Sequence, residues 1–203
     1  DEGATIDGEK GSYGPYFQSN RVEIYQCVAK YMIEQGRAYP CFCTEEELEE
    51  VRKLQEAESV NTGYYGKWAK DRDITVEEVQ AHLDNNDSFV IRFKSNGTTE
   101  GIFEIEDAIR GKLQIHENYQ DAVILKTNGI PTYHFAHVVD DHFMRVTHVV
   151  RGEEWLSTLP IHYEIFKTLG WDTPIYCHTA HLMKMDNGSK RKLSKRKDPE
   201  LGL

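Results

Sequence analysis

Residues 135–178 constrain the fold more than any other stretch. Phe135, Val138, Val139, His142 and Phe143 recur at helical spacing. VTHVV, at 146–150, then reads as a short apolar strand. LSTLPIHYEIFKTLG reads as a helix, with Pro160 in its first turn and Gly170 as its stop. IYCH reads as a second strand. Helix, strand, helix, strand is the alternation of a parallel α/β sheet.

The residues before this stretch have a different rhythm. Residues 1–14 are polar and Gly-rich, so little order is expected there. Ser19 is placed to cap a helix whose apolar face runs Val22, Tyr25, Ala29, Met32, Ile33, with Gly36 as its stop. AYPCFC reads as an extended link. Thr44 with Glu47, and Thr75 with Glu78, form capping boxes for two helices, ending near Glu58 and Leu83. SFVIRFK alternates as a strand, GIFEIEDAIRGKLQI holds two strands around a polar turn, and DAVILKTNGIPTY holds a buried strand with a turn at Asn128-Gly129. This first part is α+β in pattern, and a boundary is expected near residue 129.

Composition narrows the class. The chain has 203 residues, 39% hydrophobic and 29% charged, as expected of a globular protein. No stretch approaches the ~20 apolar residues of a membrane span. Four cysteines without regular spacing read as reduced thiols in a cytosolic setting. The chain opens on DEGATIDGEKGSYGPY and stops on DPELGL, which reads as a fragment of something longer. A net charge of −10 argues against nonspecific coating of nucleic acid. Yet KRKLSKRK, at 190–197, packs six cations into eight positions, and without it the balance falls to −16.

Ligands of open α/β sheets sit beyond the carboxyl ends of the strands. Arg151 follows VTHVV directly, and its planar fork suits a carboxylate or phosphate. A surface pair with Glu153 or Glu154 is an equal alternative. Trp155 could wall the same pocket, and Tyr133 is a polar anchor for a small molecule. YHFAHVVDDH gathers His134, His137, His142, Asp140 and Asp141, but in no familiar metal-ligand spacing. Cys41 and Cys43 could supply two thiolates, and no second pair follows. The basic stretch is interrupted by Leu193-Ser194 and preceded by a turn at Asn187-Gly188. Placed at the mouth of a sheet, it suits a polyphosphate.

Together, PTYHFAHVVDDHFMRVTHVVRGEEWLSTLPIH and HLMKMDNGSKRKLSKR resemble the bacterial glutamyl-tRNA synthetases, a family of class I aminoacyl-tRNA synthetases. GPYFQSNRVEIYQCVAKYMIEQGRAYPCFCTEEELEEVR resembles their acceptor-stem region. The match covers nearly the whole chain in order. KLSKR alone is a weak signal; VVDDH, RGEEW and KLSKR at these separations are a strong one.

The resemblance implies an α/β fold. It would be the second half of a Rossmann-like nucleotide-binding fold (129–180), preceded by an inserted acceptor-stem-binding domain (19–128). A poorly ordered segment (1–18) would come first, and the KMSKS loop with the start of a stem-contact region (181–203) last. It implies ATP-dependent activation of L-glutamate to glutamyl-adenylate, then transfer to the 3′ end of tRNA(Glu). Lys192, Leu193, Ser194, Lys195 and Arg196 match the mobile KMSKS loop, with Lys195 and Lys192 catalytic. Arg151 and Tyr133 match positions that hold the substrate's side-chain carboxylate. His134, Phe135, Ala136, His137 and Trp155 would line that pocket. Glu154 and the backbone near Met183 match ATP contacts. Implied partners are the acceptor stem, L-glutamate and ATP with Mg2+, without a membrane, and the protein would act as a monomer.

Three departures stand out. The family's HIGH motif is absent from these residues, so the chain alone is expected to be inactive. HFAH and HTAH sit in the wrong context to replace it. Some relatives hold zinc through Cys-x-Cys and a later Cys-x-aromatic or Cys-x-His. Cys41 and Cys43 match the first pair, but Trp68 and Lys70 occupy the later positions, so no zinc is expected. His137 stands where many relatives carry Asn. Two other functions compete. A glutamyl-queuosine-type paralogue usually lacks a matching basic loop. A non-catalytic acceptor-stem-binding module would lose Arg151, Tyr133 and Lys195.

Overall fold

Where little order is expected, the chain begins with a hairpin. In the computed structural model, which describes residues 2–186, 188–193 and 198, β1 (Gly3–Thr5) pairs antiparallel with β2 (Gly8–Lys10). Glu9 accepts hydrogen bonds from the backbone N–H groups of Tyr16 and Phe17, which ties the hairpin to the chain that follows.

The first long helix, α1 (Val22–Glu34), is not capped by Ser19. Ser19 lies in a 3-10 turn, Gln18–Asn20, and Arg21 takes the N-cap position without a side-chain cap. Arg21 is buried because its guanidinium pairs with Asp140. β3 (Ala38–Cys41) follows, then α2 (Glu45–Ala57) and α3 (Val76–Asp84). Both of these helices start where their capping boxes put them, with reciprocal bonds between Thr44 and Glu47 and between Thr75 and Glu78. β4 (Val90–Phe93) pairs with β3 on one side. Its Arg92 is buried too, over the Tyr64 ring and donating to the Asp121 carbonyl.

β5 (Ile102–Asp107) and β6 (Gly111–His116) form the hairpin read from the sequence, and β7 (Val123–Leu125) pairs with the other side of β4. α4 (Tyr133–Phe143) then leads into β8 (His148–Gly152). The strand lies two residues later than the VTHVV reading, so Arg151 is inside it rather than after it. A 3-10 segment, Glu153–Thr158, feeds α5 (Leu159–Leu169), which ends at Gly170 in the left-handed conformation. β9 (Ile175–Thr179) returns parallel to β8. β10 (Met183–Asp186) and β11 (Ser189–Lys192) close the described chain as a second hairpin, turning at Gly188. Lys190, Arg191 and Lys192 therefore lie in a strand, not in a loop.

The main core does not divide at residue 129. Tyr25, Met32, Phe93 and Ile124 from the earlier part pack in one cluster with Phe135, Val138, Val139, Ile165 and Phe166 from the later part. A smaller cluster joins Ile105 of β5 to Leu159 and Tyr176. That contact puts the tip of the β5–β6 hairpin against the ends of the parallel strands.

Candidate active site

Register brings the site together. In the parallel pair, Arg151 of β8 lies directly opposite His178 of β9. Arg151 Nε donates to His178 Nε2 at 2.9 Å, its Nη1 lies 3.4 Å from His162 Nδ1, and its Nη2 donates to the Trp155 carbonyl at 3.4 Å. The Tyr176 ring lies 4.9 Å from the guanidinium carbon. Burial pushes the Arg151 pKa down, and the Tyr176 ring, the Tyr133 phenol and the Asp141 carboxylate pull the other way. The competing expectation, a surface pair with Glu153 or Glu154, is not realised. Glu153 pairs with Arg110, and Glu154 with Lys192 and His181.

Among the described residues Arg151 hydrogen-bonds to two imidazoles, a carbonyl and the Tyr133 phenol, none of them a carboxylate, and the Asp141 carboxylate acts on it only through its charge. The neutrality of the imidazoles follows from geometry. His178 Nδ1 lies 2.6 Å from the Asp107 carboxylate and must donate to it, so its Nε2 is the lone pair that Arg151 meets. His162 must accept from a cation, and burial pushes its pKa far down. A partly buried cation without a carboxylate is costly, and an incoming anion relieves that cost.

Around this cation, Tyr133 opens α4 and is half exposed, its ring tilted against Trp155 with centroids 4.9 Å apart. His134 and His137 are the next residues on that face. His134 Nδ1 lies 3.0 Å from His162 Nε2, and the His137 ring 4.3 Å from the His162 ring. Burial is the main reason His134 and His137 titrate low, His137 at about 4, with the Arg151 charge adding to it. Phe135 and Ala136 depart from expectation. Both belong to the main core, because the helical turn carries their side chains inward.

Glu154 links the site to the basic stretch. Its carboxylate accepts from Lys192 Nζ at 3.0 Å and lies 3.4 Å from His181 Nδ1. Lys192 therefore stands beside the segment that leaves Arg151. Met183, at the start of β10, is registered opposite Lys192, and the Leu193 N–H donates to the Leu182 carbonyl. Arg191 is committed elsewhere, to Asp186 and the buried Asp198. Ser194, Lys195 and Arg196 lie outside the described residues.

The family model for class I tRNA synthetases (E and Q), catalytic domain, matches residues 4–201. The chain belongs to that family. It is 78% identical, over its whole length, to a glutamate–tRNA ligase of Acetivibrio thermocellus, and 53% identical over 98% of its length to one of Clostridium perfringens. It spans 37% of the length of each of these curated relatives. Among solved structures it resembles a glutamate tRNA ligase from Elizabethkingia meningosepticum, described in complex with its amino acid. That match has a TM-score of 0.80 and 37% identity, covering 95% of this chain and 39% of the other. The mixed α/β architecture is that of the family's catalytic domain.

Several residues of the site escape a reading of the sequence. His178 there is merely the end of IYCH, His162 a helix residue, and Asp107 part of a polar turn. The parallel register of β8 and β9 is what would have singled out His178.

Away from this site, Cys41 Sγ, Cys43 Sγ and an Asp71 oxygen all lie within 4.8 Å of one another. Asp71, not Trp68 or Lys70, is the acidic neighbour of the thiols. Asp71 Oδ2 accepts from the Phe42 N–H at 2.7 Å, and the Tyr64 hydroxyl sits 3.4 Å and 3.2 Å from the two sulfurs. A closed structural zinc site takes four ligands from Cys, His and carboxylates. Here three are present, and the fourth neighbour is a phenol that burial keeps protonated.

Proposed function

We propose that this chain provides the amino-acid side-chain site and part of the nucleotide site of a glutamate–tRNA ligase. The observation that carries the proposal is Arg151: a half-buried guanidinium at the carboxyl end of a parallel strand, whose hydrogen bonds among the described residues reach no carboxylate. The γ-carboxylate of glutamate would take its two Nη groups in place of the long bonds to His162 and Trp155. Tyr133 and Trp155 would wall the side chain, with His134 and His137 behind. Glutamine offers the same shape without the charge. Leaving the guanidinium unpaired against the amide costs roughly 3–5 kcal/mol, enough to discriminate.

In the first step, an α-carboxylate oxygen of glutamate attacks the α-phosphorus of ATP. The bond to the bridging oxygen breaks, and pyrophosphate leaves with the electron pair. In the second, the terminal tRNA hydroxyl attacks the acyl carbon and AMP leaves. No protein nucleophile is needed, so catalysis reduces to positioning and charge stabilisation. Lys192, Leu193, Ser194, Lys195 and Arg196 meet the phosphates, with Lys195 on the transition state. Glu154 and the backbone near Met183 contact the nucleotide, and Glu154 holds Lys192 until it arrives. Mg2+ travels with ATP and neutralises phosphate charge. Residues 19–128 meet the acceptor stem. The protein works in the cytosol as a monomer and holds no zinc.

In the full-length protein carrying this chain, Arg151→Ala is expected to abolish glutamate-dependent ATP–pyrophosphate exchange. Normal exchange in that variant ends the substrate assignment. Lys195→Ala is expected to slow adenylate formation by about 100-fold or more with the fold unchanged. Elemental analysis of the purified protein tests the metal reading, and one zinc per chain would make ligands of Cys41, Cys43 and Asp71.

A further inference from the structure

We propose that Asp107 and His178 are positioning residues that lock the Arg151 guanidinium edge-on, leaving its Nη end to recognise a carboxylate. This rests on the glutamate reading of the site and deepens it.

The pair is fully buried and self-consistent. Asp107 Oδ1 accepts from the Ile109 and Arg110 N–H groups, each at 3.0 Å. Its Oδ2 accepts from the His178 N–H at 3.1 Å and from Nδ1 at 2.6 Å. Every neighbour is a donor, so the carboxylate serves only as an acceptor. Burial pushes its pKa up, and the hydrogen bonds from His178 and the backbone more than reverse that. One tautomer of His178 is thereby selected, with the proton on Nδ1 and the lone pair on Nε2. That lone pair takes the Arg151 Nε–H at 2.9 Å, whereas the Nη contacts are both 3.4 Å. The short bond anchors one edge of the fork, and the long ones are those a ligand can replace.

The anchor comes from outside the parallel pair. Asp107 ends β5, and Arg110 in the same turn donates to the His178 carbonyl at 3.2 Å and pairs with Glu153. The Ala108 N–H donates to the Tyr176 carbonyl at 2.8 Å. The four-residue turn thus clasps the ends of both β8 and β9. An arginine tied this way cannot swing to meet an amide oxygen with one N–H, and selectivity follows from a direction as well as a charge.

Two substitutions at one position separate positioning from space-filling. In His178→Asn the amide nitrogen can stand in for Nδ1 toward Asp107, but nothing meets the Arg151 Nε–H. In His178→Gln the amide oxygen can stand in for Nε2. In the full-length protein, His178→Asn is expected to raise KM for glutamate about tenfold, leave kcat within about threefold and cut the glutamate-over-glutamine preference about tenfold. His178→Gln should keep KM within about threefold of wild type. An unchanged KM in His178→Asn, or equal losses in both variants, overturns the proposal. If the wild type shows no glutamate-dependent exchange, the substrate reading fails, and 15N NMR of the Arg151 Nε–H decides the positioning role. Slow exchange with solvent in wild type and His178→Gln but fast exchange in His178→Asn supports it; equal exchange in all three overturns it.

Discussion

Two arginines in this chain, Arg21 and Arg151, have opposite arrangements. Arg21 is 1% exposed, and its Nε meets Asp140 at 2.7 Å. Its Nη1 donates to the Pro15 carbonyl, and Tyr25 donates to the same Asp140 carboxylate. The charge is answered inside the protein and joins the start of α1 to α4. Arg151 is held by one short bond to an imidazole and two longer ones to an imidazole and a carbonyl. A buried cation with its own carboxylate is part of the scaffold, whereas one surrounded by neutral acceptors is poised for an anion from outside.

Mutations can break this contrast. The largest effect is expected for the pair Asp140→Ala and Arg151→Met. Removing Asp140 strands a buried guanidinium and should cost roughly 3–5 kcal/mol, read as a fall in the unfolding midpoint. Arg151→Met breaks no hydrogen-bonded ion pair among the described residues, so the midpoint should hold or rise while exchange activity is lost. An equal fall in both variants would make Arg151 a structural residue.

A smaller effect sharpens the same comparison among carboxylates. Asp141 sits beside Asp140, with His137 Nε2 at 3.3 Å. Burial, and then the Asp140 charge, push its carboxyl up to about 7, while the Arg151 charge pulls it down. The folded chain thus keeps a proton that an unfolded carboxyl releases near pH ~4. This contribution to stability is complete below that point and is lost as pH rises through about 7. Asp141→Asn should therefore unfold at a higher temperature than wild type at pH 8 and show no advantage at pH 4. A parallel pair of pH–midpoint curves would mean that Asp141 titrates normally.

The same contrast separates what a reader of the residues can find from what is hidden. Thr44 with Glu47 and Thr75 with Glu78 announce their helices because a capping box is complete within four residues. Arg151, Tyr133 and Trp155 drew attention in the sequence because strand ends and aromatic residues are local signs, and the fold brings the three together. Ser19 misled because the burial of Arg21, decided by Asp140 more than a hundred residues away, set the helix start instead. Phe135 and Ala136 misled because adjacent helix positions face different ways.

From the residues alone came the order of the helices and strands between residues 22 and 179, the parallel alternation after residue 133 and the cation at a strand end. These depend on periodicity and capping, interactions that span a few residues. Only the folded chain could join Asp107 to His178 and His178 to Arg151, across 71 and 27 positions. It alone could show that Arg21 is hydrogen-bonded to a carboxylate and that Arg151, among the described residues, is not. Such partnerships depend on strand register and on which loop tip reaches which strand end, and those are set by packing of the whole core, not by any local pattern.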